Sequence, residues 1–136
     1  MENFTSHTRP VVTGGELVVS LALHPDTPLQ LVATRDIGEL AALAFADPET
    51  FRGRAIIVAG DDLPAAVVAE RLGRARGLPA RFQQVPLERV RAFDPEVARM
   101  FEWFDSGKGE RADLPALRTL HPDLYTMDAW ARTVEW

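Results

Sequence analysis

Apolar residues cluster in four short segments that have the composition or the alternation of β-strands. The first two segments are separated by a proline-containing loop, so they can pair as a hairpin. The third segment is apolar almost throughout, as expected for a strand that is buried on both faces. The four predicted strands cover residues 16–23, 29–33, 54–59 and 80–85.

Apolar residues at helical spacing predict six helices between and after these strands. The first helix begins near Asp36, whose carboxylate can accept the free N–H groups of the first turn as an N-cap. It ends at Asp47-Pro48, because the residue before a proline disfavours the α conformation. The second helix has Pro64 in its first turn and Gly77 at its C-cap. The predicted helices cover residues 36–46, 64–76, 87–92, 95–105, 113–120 and 127–135.

This order of elements predicts an α/β (α+β) fold with a small mixed sheet. Its centre is a strand–helix–strand unit over residues 54–85, which implies a right-handed parallel crossover, and the C-terminal helices follow. A chain of 136 residues suits a single domain. We therefore expect one domain over 1–136, in which residues 1–15 are an irregular N-terminal arm ending in a turn at Gly14-Gly15.

The composition restricts the classes of function. Hydrophobic residues make up 46% and charged residues 26% of the chain, which is typical of a folded globular protein. The net charge is −5 and no basic stripe occurs, which argues against nucleic acid as a partner. No apolar run approaches the roughly 20 residues that span a bilayer, and residues 1–10 are polar and do not resemble a signal-peptide hydrophobic region. We expect a cytoplasmic protein that binds neither membrane nor nucleic acid.

Recognisable cofactor motifs are lacking. The segment 107–109 (GKG) resembles part of a phosphate-binding loop, but it lacks the leading glycine and the hydroxyl residue and follows a predicted helix. The absence of cysteine excludes thiolate metal sites, and no histidine has a partner at metal-ligand spacing. The sequence therefore predicts neither a metal site nor a dinucleotide site of its own.

Two matching His-Pro-Asp triplets, at 24–26 and 121–123, supply the acid–base candidates. Each triplet is either a turn in which the aspartate binds the backbone or a general acid–base group oriented by a carboxylate. The single tyrosine, Tyr125, has no lysine four positions later, so Tyr-x-x-x-Lys dehydrogenase chemistry is not encoded. The candidate catalytic residues are His24, Asp26, His121 and Tyr125.

Three aromatic residues, Phe101, Trp103 and Phe104, fall on one predicted helix. Their spacing covers more than one helical face. They therefore either fill the core or form the wall of an apolar ligand pocket.

Several segments that keep their order along nearly the whole chain point to one family. They are MENF (1–4), the stretch from PDTPLQ to IIVAGD (25–61), RFQQVP (81–86), FEWF (101–104) and the LHPDL stretch ending at Leu124. Together they resemble the C-terminal half of NmrA-like proteins, atypical members of the extended short-chain dehydrogenase superfamily. Such proteins normally carry an N-terminal Rossmann domain that binds NAD(P) through a glycine-rich loop, and this sequence lacks that half.

The resemblance implies a substrate-side domain in which Asn3 and Phe4 contact a ligand. We expect Phe101, Trp103 and Phe104 to form the opposite wall and His24 to be the polar group, because a neutral imidazole can donate or accept a proton near pH 7. We expect no cofactor, and NAD(P) only if a Rossmann half is supplied by an N-terminal region or by a partner. Exposed apolar surface should favour a homo-oligomer or a partner subunit, and an apolar small molecule is the expected ligand.

Three functions follow from this resemblance. The first is a stand-alone NmrA-like domain with a binding, regulatory or assembly role. The second is a cofactor-independent enzyme that uses acid–base residues in the cleft. The third is a fragment of an NAD(P)-dependent reductase or redox sensor.

Overall fold

Five strands form two small sheets in the computed structural model, which describes residues 1–134. The first sheet has the order β1-β2-β5, with β1 antiparallel and β5 parallel to β2. The second sheet pairs β3 and β4 antiparallel. The strands are β1 (Val11–Thr13), β2 (Glu16–Leu21), β3 (Pro28–Leu31), β4 (Asp61–Pro64) and β5 (Ala80–Gln84).

Helices lie between and after these strands. A 3-10 helix, Glu2–Thr5, precedes β1. The α-helices are α1 (Thr34–Ala46), α2 (Pro48–Phe51), α3 (Ala65–Arg76), α4 (Leu87–Phe93), α5 (Pro95–Asp105), α6 (Leu114–Leu120) and α7 (Met127–Ala131). The mixed α/β fold predicted from the sequence is confirmed. The predicted helix over 127–135 ends at Ala131, and residue 135 lies outside the described residues.

The N-terminal arm was predicted to be irregular, and this prediction is wrong. It contains the 3-10 helix and β1, which pairs with β2 through the two-residue turn at Gly14 and Gly15. Both glycines have positive φ, 61° and 82°. Positive φ at both central residues is the geometry of a tight β-hairpin turn, and glycine adopts it without steric cost.

The predicted hairpin between residues 16–23 and 29–33 is wrong, because β3 pairs with β4 instead of β2. The chain between them turns at residues 24–27, where the Asp105 carboxylate accepts hydrogen bonds from the His24 backbone N–H, at 3.0 Å, and from the Thr27 hydroxyl. This anchor at the end of α5 holds the connection, and the chain that leaves it enters the second sheet. The point at which the chain passes from the first sheet to the second is thus held by Asp105, which lies 81 positions from His24 in the sequence.

The predicted buried strand at 54–59 is also wrong. Residues 54–58 lie outside both sheets, and Ile56 and Val58 pack on a small cluster formed by Leu40, Leu117 and Leu124. Pairing begins only at Gly60, whose N–H donates to the Leu31 carbonyl at 2.7 Å, and continues into β4. The apolar residues of this segment that the sequence analysis assigned to a strand are therefore buried against helices and not within a sheet.

The predicted 54–85 unit is consequently not a strand–helix–strand crossover of its own. The parallel partner of β5 is β2, with Leu17 opposite Ala80 and Leu21 opposite Gln84. The connection between them includes β3, α1, α2, β4 and α3. The main core lies where α3 and α7 pack with this sheet, around Val19, Leu23, Val68, Leu72 and Trp130.

Two glycines in helix interiors provide a matched test of this packing. A Cβ at Gly73 would lie 2.3 Å from the Ala80 Cβ and 2.8 Å from the Leu78 carbonyl oxygen, whereas a Cβ at Gly38 meets nothing within 4 Å. We expect Gly73→Ala to lower the free energy of unfolding by about 2–3 kcal/mol through overpacking. Gly38→Ala should raise it by about 0.5–1 kcal/mol through helix propensity. Urea unfolding measures both, and equal effects would contradict the close approach of α3 to β5.

Candidate functional site

A cleft of about 200 Å³ opens between the N-terminal arm and α5. Asn3 and Thr8 line it on the arm side, and Met100, Phe101 and Phe104 line it on the helix side. Its remaining wall comes from the ends of β2 and β3, with residues Leu21, Leu23, Leu29, Gln30 and Leu31. The cleft therefore lies directly on the main core, to which Leu21 and Leu23 belong.

Local sequence explains the position of the helix wall. Asp94 caps α5 by accepting hydrogen bonds from the backbone N–H groups of Glu96 and Val97, at 3.0 and 3.1 Å, and Pro95 occupies the first turn. Residues three apart share a helix face, so Phe101 and Phe104 both point toward the core and the cleft. The cap fixes the start of the helix, and the periodicity fixes the face that lines the cleft.

The structure brings together three of the five predicted ligand-contacting residues. Asn3, Phe101 and Phe104 line the cleft, whereas Phe4 is buried in the core at 4% exposure. Trp103 is 52% exposed and does not line the cleft, although its ring centroid lies 5.5 Å from that of Phe104. It lines a neighbouring groove instead.

His24 and Asp26 lie in an exposed turn, with side chains that are 62% and 85% accessible. The Asp26 backbone N–H donates to His24 Nδ1 at 3.3 Å, and the Asp26 carboxylate lies 3.7 Å from the same nitrogen. Neither residue lines the cleft. This is the geometry of a turn, which was one of the two alternatives given above for the first His-Pro-Asp triplet.

His121 is buried, and its partner is Asp36 and not Asp123. The His121 Nε2 atom lies 3.3 Å from Asp36 Oδ1, and Asp36 Oδ2 accepts the Tyr125 backbone N–H at 2.9 Å. Asp36 is fully buried. The pair ties α1 to the chain segment between α6 and α7.

The prediction that Asp36 caps its own helix is therefore wrong. Helix α1 begins two residues earlier, at Thr34, with Ala33 at the N-cap and no side-chain cap from that residue. Asp36 stands inside the first turn, where its carboxylate reaches the C-terminal segment and not the N–H groups of its own helix. Its negative charge still lies near the helix N-terminus, where it is favourable.

The cap of α1 comes from Glu2, which sequence reasoning missed. One Glu2 carboxylate oxygen accepts the Thr34 backbone N–H at 3.1 Å, and the other accepts the Trp130 indole N–H at 3.0 Å. Burial raises the pKa of Glu2, but hydrogen bonds from its own backbone N–H and from Thr34, the charge of the N-terminal ammonium and the hydrogen bond from Trp130 together leave the pKa below its usual value. No local sequence pattern marks a cap that lies 32 positions away.

Tyr125 packs against Arg35, whose guanidinium carbon lies 4.5 Å from the centre of the ring. Hydrogen bonding to the Tyr125 side chain raises the pKa of Arg35, and the guanidinium lies over the ring in a favourable cation–π contact. The Tyr125 backbone also lies against Gly60, where a Cβ would be 2.1 Å from the Tyr125 carbonyl oxygen. None of the four candidate catalytic residues, including Tyr125, lines the cleft.

Other classes of site find no support in the part of the chain that the structure describes. Over residues 1–134, no group of three or more histidine, aspartate or glutamate side chains is arranged to hold a metal ion. None of the helices described is long and apolar enough to cross a membrane.

Comparisons with known proteins agree on the fold and the family. The model of the NmrA-like family matches residues 1–131. A structure of NmrA, a negative transcriptional regulator, in complex with NAD is similar with a TM-score of 0.69 and 22% identity, and a double mutant of NmrA with a TM-score of 0.72 and 18% identity. Each match covers 90% of this chain and 44% of the NmrA chain.

A nucleoside-diphosphate-sugar epimerase from Staphylococcus aureus is also similar, with a TM-score of 0.65 and 19% identity, over 83% of this chain and 43% of that one. At these identities the likeness shows a shared fold. None of the curated proteins matches the sequence. The chain spans less than half of the length of the structures it resembles.

Proposed function

This chain belongs to the NmrA-like family, and from that premise we propose that it is a binding module that takes a small molecule in the cleft between its arm and α5. The observation that carries the proposal is the cleft itself, which has walls from three parts of the chain and a floor in the main core. Ligand sites are typically apolar concavities with a few convergent polar groups. The candidate acid–base residues lie elsewhere, so the cleft is suited to binding and not to proton transfer.

The fluorescent two-ring compound 2-naphthol, which is neutral at pH 7, tests this function. We expect saturable binding to the wild-type chain and loss of at least about ten-fold in affinity for Asn3→Trp, whose indole would occupy the cleft. Asn3 is exposed on the arm, so the substitution should leave the fold intact. Phe93→Trp, at a fully solvated position on α4, is the matched control and should bind as the wild type does. Absence of 2-naphthol binding to the wild type would contradict the proposed function.

The residues of this chain do not fit a dinucleotide. A pyrophosphate needs free N–H groups at a helix N-terminus after a strand and a glycine-rich loop. The described residues contain three strand-to-helix connections. After β3, the N-terminus of α1 is capped by the Glu2 carboxylate. Strand β4 leads directly into α3, and β5 is joined to α4 by Val85 and Pro86. None of the three contains a glycine.

We therefore expect no binding of NADPH or NADH by the chain on its own. Calorimetric titration of both nucleotides should give no saturable heat, because the site that would hold the phosphates is not built by these residues. NmrA, which has been captured with NAD, is the positive control. A micromolar dissociation constant would contradict this prediction while leaving the 2-naphthol experiment unaffected.

We also propose that the module assembles as a homodimer through α1. An apolar groove of about 310 Å³ lies between α1 and residues 51–58, lined mainly by Ile37, Leu40, Ala41 and Ala44 on the helix. Phe45, 87% exposed, lies in the last turn of α1, next along the chain to the groove residue Ala44. A two-fold interface places the same surface on both copies, so Phe45 of each copy can enter the groove of the other.

A further inference from the structure

The walls of the cleft carry no charge. None of the residues that line it is Asp, Glu, Lys, Arg or His. A charged group that leaves water for such a site finds no opposite charge, and its burial is costly. The cleft therefore discriminates against phosphates, carboxylates and ammonium groups.

Two of the three polar side chains in the cleft are available to a ligand. Gln30 is already engaged at both ends, since its amide nitrogen donates to the Glu110 carbonyl at 2.7 Å and its oxygen accepts the Ala112 N–H at 2.6 Å. Within residues 1–134, the side chains of Asn3 and Thr8 make no hydrogen bond. Both lie on the arm, so the side chains without a hydrogen bond in the described residues are at one end of the cleft.

The opposite wall favours rings. Phe101 and Phe104 present aromatic surface, and Met100, which is 43% exposed, adds a flexible thioether at the same wall. Aromatic rings and methionine sulfur make favourable contacts with a ligand ring. A volume of about 200 Å³ corresponds to about seven water molecules at about 30 Å³ each, which suits one or two rings.

We propose that the ligand is a neutral one- or two-ring compound with a single hydrogen-bonding group, its ring against Phe101 and Phe104 and its polar group at the Asn3 amide. This inference rests on the proposed function and specifies its ligand class. An amide, ketone or phenol meets the requirement, because the Asn3 amide both donates and accepts a hydrogen bond. Nucleotides and sugar phosphates do not meet it.

Three compounds of the same shape and different charge test the ligand class: benzamide, benzoate and benzylammonium. Binding is followed in every variant by the NMR shift of the Met100 methyl group, and in the chains that retain Asn3 also by that of its side-chain amide. We expect benzamide to bind at least about ten-fold more tightly than either ion. Asn3→Asp should reverse the order in favour of benzylammonium, while Ser6→Asp, which adds the same charge to the arm outside the cleft, should leave the order unchanged.

Each result bears on the ligand class separately from the function. Benzoate binding as tightly as benzamide would overturn the ligand class, and so would equal binding of all three compounds. Binding of none of them while 2-naphthol still binds would overturn the one-ring part of the ligand class and restrict it to two-ring compounds, and the proposed function would stand. An unchanged order in Asn3→Asp would overturn the role of Asn3. If 2-naphthol itself fails to bind the wild type, the proposed function falls first and the ligand class with it.

Discussion

Replacing Trp130 with alanine is expected to lower the free energy of unfolding by about 3–5 kcal/mol, a large share of the total stability of a small domain. Trp130 is 2% exposed and is among the largest fully buried side chains of the main core. Its removal leaves a cavity that the packed strands and helices around it cannot fill. It also leaves the Glu2 carboxylate without the indole N–H that it accepts at 3.0 Å.

The matched control is Trp103→Ala, since Trp103 is 52% exposed on α5. It should cost less than about 1 kcal/mol, because an exposed side chain loses little burial. Urea unfolding of both variants at one pH measures the difference. Similar losses for the two tryptophans would contradict the location of the core between α7, α3 and the sheet.

Helices were predictable because their signals are local. Asp94 with Pro95 begins α5, and Gly77, with a φ of 65°, ends α3. These signals are a side chain that accepts N–H groups two or three residues away, a fixed φ and a left-handed C-cap. The short helix α2 was missed, although Asp47 and Pro48 form the same kind of start for it.

Strand pairing was not predictable, because it depends on contacts between distant residues. The segment 54–59 has the apolar pattern of a buried strand, but helices α1 and α6 supply the burial and the strand forms at Asp61–Pro64 instead. The anchor of His24 and Thr27 on Asp105 has no sequence pattern either. The family resemblance identified the fold where periodicity assigned the wrong partners.

Two acidic residues in the stretch 25–61, which carries part of that resemblance, have a shared structural role. Asp36, in the segment DIG, accepts the Tyr125 N–H at 2.9 Å, and Asp61, in the segment AGD, accepts the Met127 N–H at 2.8 Å. Both carboxylates therefore hold the chain that leads into α7, and through α7 they position Trp130. The sequence predicted a helix cap for Asp36 and no role for Asp61, and it could not show that both acids act on one distant segment.

Phe45→Asp is expected to convert a dimer into a monomer. Each buried phenylalanine side chain contributes about 1.5–3 kcal/mol, and a two-fold interface loses two of them. The dissociation constant should therefore rise at least about 100-fold. Light scattering across a micromolar concentration series measures the mass, which should be twice that of the single chain for the wild type and that of the single chain for the variant.

Phe93→Asp is the matched control for this experiment, because Phe93 is 93% exposed on α4 and does not line the groove. It introduces the same charge and removes the same ring, so it should leave the dimer intact if the interface is formed by α1. Dissociation by both variants would contradict an interface formed by α1. A wild-type chain that stays monomeric over the whole series would contradict the homodimer and leave the groove without an occupant.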